Sequence, residues 1–249
     1  MAEQKITPSG KSLVAATKSR AEFSSYGHSK GAAGYDVEYV MRSQCDTLMK
    51  SGDTISVNPP EQGFGKIEVG AAWDNIKAPS NNIFGKLFGL KSKMNIDIDL
   101  GCLYELSDGT RGAIQAFGDL YGALDEPPYI TLSGDERTGD TQGDDESIAI
   151  NGHHWDKISK VFFYVYIYDG VADWAQVKPE IHIRIPDRPP LIVTLASTHD
   201  ELDLCMIAGI ERVRSGMRVT NYTQYFPGHS EMDRAYGFGL NWEGGQKTG

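Results

Sequence analysis

From about residue 48 onward, apolar residues fall in short runs separated by Gly, Pro, Asn and Asp. TISV (54–57), KIEVGAAW (66–73), NIDIDLGCLYEL (95–106), AIQAF (113–117) and PYITL (128–132) come first. SIAI (147–150), VFFYVYIY (161–168), EIHIRI (180–185) and PLIVTL (190–195) follow. LCMIAGIERV (204–213) and RVTNYTQYF (218–226) flank RSGM, which reads as a hairpin turn. Many short strands with no long amphipathic helix predict an all-β sandwich or barrel. VFFYVYIY is apolar on both faces, so a central strand is expected. EIHIRI alternates, which turns Ile181, Ile183 and Ile185 inward and leaves the other face wet. NNIFGKLFGLKSKM (81–94) reads as a short amphipathic helix or an extended loop, its two glycines weighing against a stable helix.

Residues 1–47 differ. They are rich in Ser, Gly, Ala and Lys and hold no apolar period, so a tail or loosely docked arm is expected ahead of one domain over 48–249. Within them, YDVEYVM (35–41) could form one short strand or helical turn. SGKS at 9–12 looks like the end of a phosphate-binding loop. However, Lys5 stands where the first glycine belongs and no strand precedes it, so we read a chance match.

Charge narrows the function classes. The chain of 249 residues carries a formal net charge of −10 and no compensating basic cluster, which argues against nucleic acid as a partner. Cys45, Cys102 and Cys205 are odd in number and far apart, a poor framework for disulfides or zinc. The first twenty residues lack the apolar core of a secretory signal, and no stretch approaches the ~18 apolar residues of a membrane span. A reducing cytoplasm is expected.

The acidity is concentrated. Residues 134–146 read GDERTGDTQGDDE, with carboxylates at Asp135, Glu136, Asp140, Asp144, Asp145 and Glu146 opposed only by Arg137. Two carboxylates ~4 Å apart repel by several kcal/mol at an effective dielectric near 20. A hard divalent cation removes that conflict. Ca²⁺ accepts six to eight oxygens in flexible geometry, whereas Mg²⁺ is stricter and usually brings a phosphate. The lack of His and Cys in the cluster disfavours zinc, copper or iron. Glycines at 134, 139 and 143 let the loop turn tightly and aim carbonyls inward, those of Arg137 and Gln142 being candidates. An EF-hand is excluded: Arg137 occupies the third ligand position, Asp140 occupies the turn glycine, and the flanks read as strands.

NIDIDL adds to the cluster. On a strand, Ile96, Ile98 and Leu100 share one face, and Asp97 and Asp99 share the other, roughly 7 Å apart. Asp is a poor strand former, so the pair needs a reason: a solvated face or a ligand.

The ordered set SGDTISV, IEVGAAWD, IDIDLGCLYEL, GDERTGDTQGDDESI and VFFYVYIYDG resembles the TerD-type tellurium-resistance and stress-response family. LGCLYELSDGTRGAIQAFG and LDEPPYITLSGD look closest to its TerA-type branch. The resemblance implies an antiparallel β-sandwich with a metal-binding acidic loop, few short helices and two bound calcium ions. It implies a role in bacterial resistance to tellurite and related stresses without established catalysis. Other proteins of such a system, some of them membrane-associated, would be its partners. On the family's acidic motif fall Asp97, Asp99, Asp135, Asp140, Asp144, Asp145 and Glu146, with Asp169 nearby. Gln142 replaces a usual Asp, so one ion is expected to be held more weakly. Residues 1–47 have no counterpart in the resemblance.

Two other classes stay open at this point. Paired carboxylates on a β-sandwich can hydrolyse glycosides, but that chemistry needs two carboxyls with separated pKa values in a cleft. A C2-like module docking on lipid through calcium would use IFGKLFGLKSK (83–93). His153 and His154 are expected as surface turn residues. Trp73, Trp155, Trp174 and Trp242 are expected at core or rim.

Overall fold

The structure, a computed structural model, describes residues 4–7, 46–73, 97–133, 146–169, 174–196, 201–214 and 216–244. Along the chain these form β1 (Gln4–Thr7), β2 (Asp46–Leu48), β3 (Thr54–Val57), β4 (Lys66–Ala72) and β5 (Asp97–Leu106). Then come β6 (Arg111–Ile114), β7 (Gly122–Ala123), β8 (Ile130–Leu132), β9 (Glu146–Asn151) and β10 (Ile158–Asp169). A single turn, α1 (Trp174–Val177), precedes β11 (Glu180–Arg184), β12 (Leu191–Thr194), β13 (Leu204–Val213) and β14 (Gly216–Phe226). The described chain closes with α2 (His229–Tyr236) and β15 (Asn241–Gly244).

Two sheets make a sandwich. One runs β3-β14-β13-β10-β5-β6 and the other β2-β12-β11-β4-β9-β8-β7. Every neighbouring pair in them is antiparallel except β2 and β12, which run parallel. Their facing sides hold the main core, including Ile67 and Val69 of β4, Ile98 and Leu100 of β5, Ile148 and Ile150 of β9, and Val161, Phe163 and Val165 of β10. On β11, Ile181 and Ile183 are buried while Glu180, His182 and Arg184 are half-exposed, as the alternation requires.

A second apolar layer explains the two-sided hydrophobicity of β10, the central strand between β13 and β5. Its outward residues Phe162 and Tyr164 are buried with Leu103, Leu204, Met206 and Phe226 beneath Met232, Phe238 and Leu240 of the C-terminal segment. That segment is a cap: α2 and β15 lie over the outer face of the six-stranded sheet. β15 in turn pairs with β1, Gln4 opposite Gly244 through Thr7 opposite Asn241. Residues 4–7 of the expected arm are therefore a strand, and β2 brings the sandwich to begin at Asp46.

Three sequence expectations meet local physics. The run 113–117 is strand only as far as Ile114; Gly118, at φ 70°, turns the chain into a 3-10 turn over Phe117–Asp119. The RSGM hairpin forms, with Val213 opposite Gly216. The stretch 81–94 lies outside the described residues, as do YDVEYVM and SGKS.

Candidate metal centre

The end of β5 that carries the aspartates is gathered by strand register. In the antiparallel ladder with β10, Asp97 stands opposite Asp169 and Asp99 opposite Tyr166. The ladder slips between Ile167 and Asp169, so β10 bends where its acid arrives. Asp99 shares the outer face of β5 with Gly101 and Leu103, yet its side chain is only 4 % exposed. A solvated face is therefore not the reason for an aspartate at position 99.

Glu146 arrives from the other sheet. It is the first residue of β9, opposite Ala71 of β4, and is 1 % exposed. Its Oε2 accepts the backbone N–H of Leu100. β6 pairs with β5 only from Cys102 to Glu105, so the edge of β5 at Leu100 is left for a side chain to satisfy. The strands flanking the acidic segment are also clamped together. Ser133 N–H donates to the Ser147 carbonyl at 2.8 Å, and Ser147 N–H donates to Ser133 Oγ at 3.2 Å. The sequence thus leaves and re-enters the sandwich at the corner where Asp99 and Glu146 meet β5.

Of the residues expected to hold an ion, Asp99 and Glu146 are both buried, Glu146 bonding the backbone N–H of Leu100, the neighbour of Asp99. Asp97 and Asp169 are placed by backbone register. Asp135, Asp140, Asp144, Asp145, Arg137 and Gln142 lie outside the described residues. Among the described residues no group of three or more His, Cys, Asp or Glu stands ready to hold a metal. The donors at the corner are oxygens only, the chemistry that suits Ca²⁺ or Mg²⁺ rather than softer metals.

Behind Asp99 is a buried polar and aromatic layer that sequence reasoning missed. Tyr164 lies flat over Gly101, where a Cβ would come within 2.4 Å of the ring. Its hydroxyl donates to Gln115 Oε1 at 2.6 Å. Burial pushes that hydroxyl's pKa well up, with smaller contributions from Cys102 and then Asp99. His229, the first residue of α2, meets the rings of Tyr164 and Tyr166 at 5.3 and 5.2 Å and stacks on Trp242 at 4.8 Å. Burial lowers its pKa to about 3, so the ring is neutral near pH 7. Four residues on, the buried Asp233 accepts the N–H groups of Gly239 and Leu240 and the indole N–H of Trp242 at 2.6–2.7 Å. No spacing in the sequence marks His229, because its neighbours come from β10 and β15. No element was expected over 229–236, although GHSEMDRAYG ends in Gly237, which at φ 70°, ψ 32° is the left-handed helix stop.

Other candidates resolve simply. Cys102 and Cys205 are buried free thiols whose pKa values burial drives far upward. His153 and His154 sit on a 3-10 turn, His154 stacked on Tyr129 at 4.4 Å. Trp73, Trp155 and Trp174 are core residues, and Trp242 packs in the outer layer.

The mostly antiparallel two-sheet sandwich gives the class of fold, and comparison with known proteins gives the family. Residues 46–188 match the TerD domain, and the chain belongs to the TerD-domain family. It is 35% identical over 201 residues to the tellurium resistance protein TerA of Alcaligenes sp, covering 81% of this chain but 58% of that protein. It is 30% identical over 164 residues to the stress response protein SCP2 of Bacillus subtilis (strain 168), covering 62% and 73% respectively. The tellurium resistance protein TerZ of Serratia marcescens is 32% identical over 107 residues, 42% of this chain and 50% of that one. The crystal structure of SAV2460, a protein of unknown function, superposes with a TM-score of 0.48 at 15% identity, covering 69% of this chain and 95% of that one.

Proposed function

We propose that this chain is a calcium-binding, non-enzymatic protein of a bacterial stress response associated with tellurite resistance. The observation that carries the reading is the burial of two carboxylates, Asp99 on β5 and Glu146 on β9, with Glu146 bonded to the backbone N–H of Leu100 next to Asp99, at the root of a segment holding five further acids. Asp97, Asp99, Asp135, Asp140, Asp144, Asp145, Glu146 and Asp169 would supply the carboxylates, with carbonyls from Arg137 and Gln142. The ion would supply the positive charge that lets these anions share one corner. Two ions are proposed, the one nearer Gln142 held more weakly. The names of the relatives support the stress and tellurite role.

A binding role rather than a catalytic one is supported by the Cys102 and Cys205 thiols, which are buried and protonated, and by the clustering of the acids along 134–146 of the sequence. Separated carboxylate pKa values would be needed for acid–base hydrolysis, and a bound cation would keep all the acids ionised. No helix among the described residues is long and apolar enough to cross a membrane. We place the protein in the cytoplasm, with other proteins of the stress system as partners, some of them membrane-associated.

A thermal melt in CaCl₂ against EGTA tests the reading. Ligand at one hundred times Kd adds about 2.7 kcal/mol per site, which raises Tm by several degrees. Asp144→Asn should reduce that rise more than Asp156→Asn, a change outside the cluster. An unchanged Tm up to millimolar Ca²⁺ would remove calcium from the function.

A further inference from the structure

The cap is one body with few ties to the sandwich. Asp233 of α2 joins its parts, accepting the N–H groups of Gly239 and Leu240 and the indole N–H of Trp242. Among the described residues, β15 pairs with no strand of either large sheet; its ladder partner is β1, over four residues. β1 also runs alongside the 3-10 turn Phe117–Asp119, which belongs to the sandwich, so it bridges cap and sandwich. Arg111 of β6 reaches the cap from the sheet, its Nη1 donating to the carbonyls of Gly237 and Phe238 at 3.0 and 3.3 Å. The Lys160 ammonium of β10 lies 4.8 Å from the centre of the Phe238 ring. Glu105 of β5 meets both cations, Arg111 Nε at 2.8 Å and Lys160 Nζ at 3.3 Å. The Arg111 side chain is 41 % exposed, and ion pairs so open to water add little.

We propose that α2 with β15 is a lid that opens as a unit from the folded sandwich, and that β1 is the latch that keeps it shut. Two opposing terms set the balance. Burial of Met232, Phe238 and Leu240 against Phe162, Tyr164, Leu204 and Met206 favours closure. Closure also buries His229 Nε2, which has no hydrogen-bond partner among the described residues, between the rings of Tyr164, Tyr166 and Trp242. A polar atom sealed in this way forfeits the bonds that water would make to it, and opening restores them. The two large sheets lose no ladder pairing when the lid leaves, so the sandwich stays folded beneath it. The movement starts where the chain leaves β14 at Phe226, and it uncovers the apolar outer face of β10 and β13. The lid is independent of the calcium reading.

Thiol labelling of the native full chain, with Cys45→Ser to remove a background thiol, tests this. Cys205 and Met206 are neighbours on β13, but Cys205 faces the sandwich core and Met206 faces the lid. In Met206→Cys, the thiol at 206 should label on the order of a hundredfold faster than Cys102 and Cys205, which react only when the sandwich unfolds. Equal rates at all three positions would overturn the lid. Hydrogen exchange on the unsubstituted chain checks the same point, since the β15 amides bonded to β1 should exchange faster than those of β13; equal rates there would also count against it. Lys5→Pro with Ile6→Pro removes at least one ladder donor, because neighbouring N–H groups of a strand point to opposite edges. That pair should speed labelling at 206 about tenfold and leave Cys102 and Cys205 unchanged; no change at 206 would overturn the latch. His229→Phe should slow labelling at 206 about fivefold or more, and an unchanged or faster rate would overturn the part given to the imidazole.

Discussion

The carboxylate of Glu146 accepts the backbone N–H of Leu100, so a residue of one sheet closes the open edge of a strand in the other. The contact stands at the end of the acidic segment and fixes where the chain re-enters β9. It makes Glu146 a structural tie whatever else it binds.

Glu146→Ala should therefore destabilise the protein even in EGTA. It leaves the Leu100 N–H buried without its acceptor, at a cost of about 1–3 kcal/mol. Glu146→Gln retains an acceptor and should cost less. Urea unfolding in EGTA separates this tie from any loss of calcium, since a pure ligand would leave the metal-free stability of both variants unchanged.

Acid should weaken the cap through His229. Its folded pKa is lowered to about 3, against 6.5 for the free side chain. The unfolded state therefore binds the extra proton between those values. This contribution is complete above about pH 6.5 and fades by about 1.4 kcal/mol per pH unit as the pH falls towards 3. His229→Phe should flatten the pH dependence of stability over that window. An equally steep loss in the variant would place the titration elsewhere.

Asp233 organises the turn after α2 through three donors. Asp233→Ala should free the cap locally, by about 2–4 kcal/mol for charge-assisted bonds lost together. Limited proteolysis at the exposed Arg234 should speed up well before the sandwich itself unfolds in denaturant.

Gly101 is set by close approach. A Cβ there meets Tyr164 Cζ at 2.4 Å, and one at Gly112 meets Tyr104 Oη at 2.3 Å. Gly101→Ala should lower the denaturation midpoint by the equivalent of about 1–3 kcal/mol, since a ring in a packed layer has little room to retreat.

Local pattern was enough for most strands of the two sheets, though not for β1, β2, β7 or β15. Alternation fixed the inward isoleucines of β11, the two-sided apolar run marked β10 as central, and RSGM marked the hairpin, because each signal lies within a few residues of chain. The acids of NIDIDL and of 134–146 were legible for the same reason. Tertiary structure alone decided what Asp99 faces, which backbone group Glu146 satisfies, and that His229, Trp242 and β1 share one cap. Most of those partners are dozens of residues apart, and a sequence carries no local mark of a contact made by register across a sheet or by one sheet reaching the edge of another.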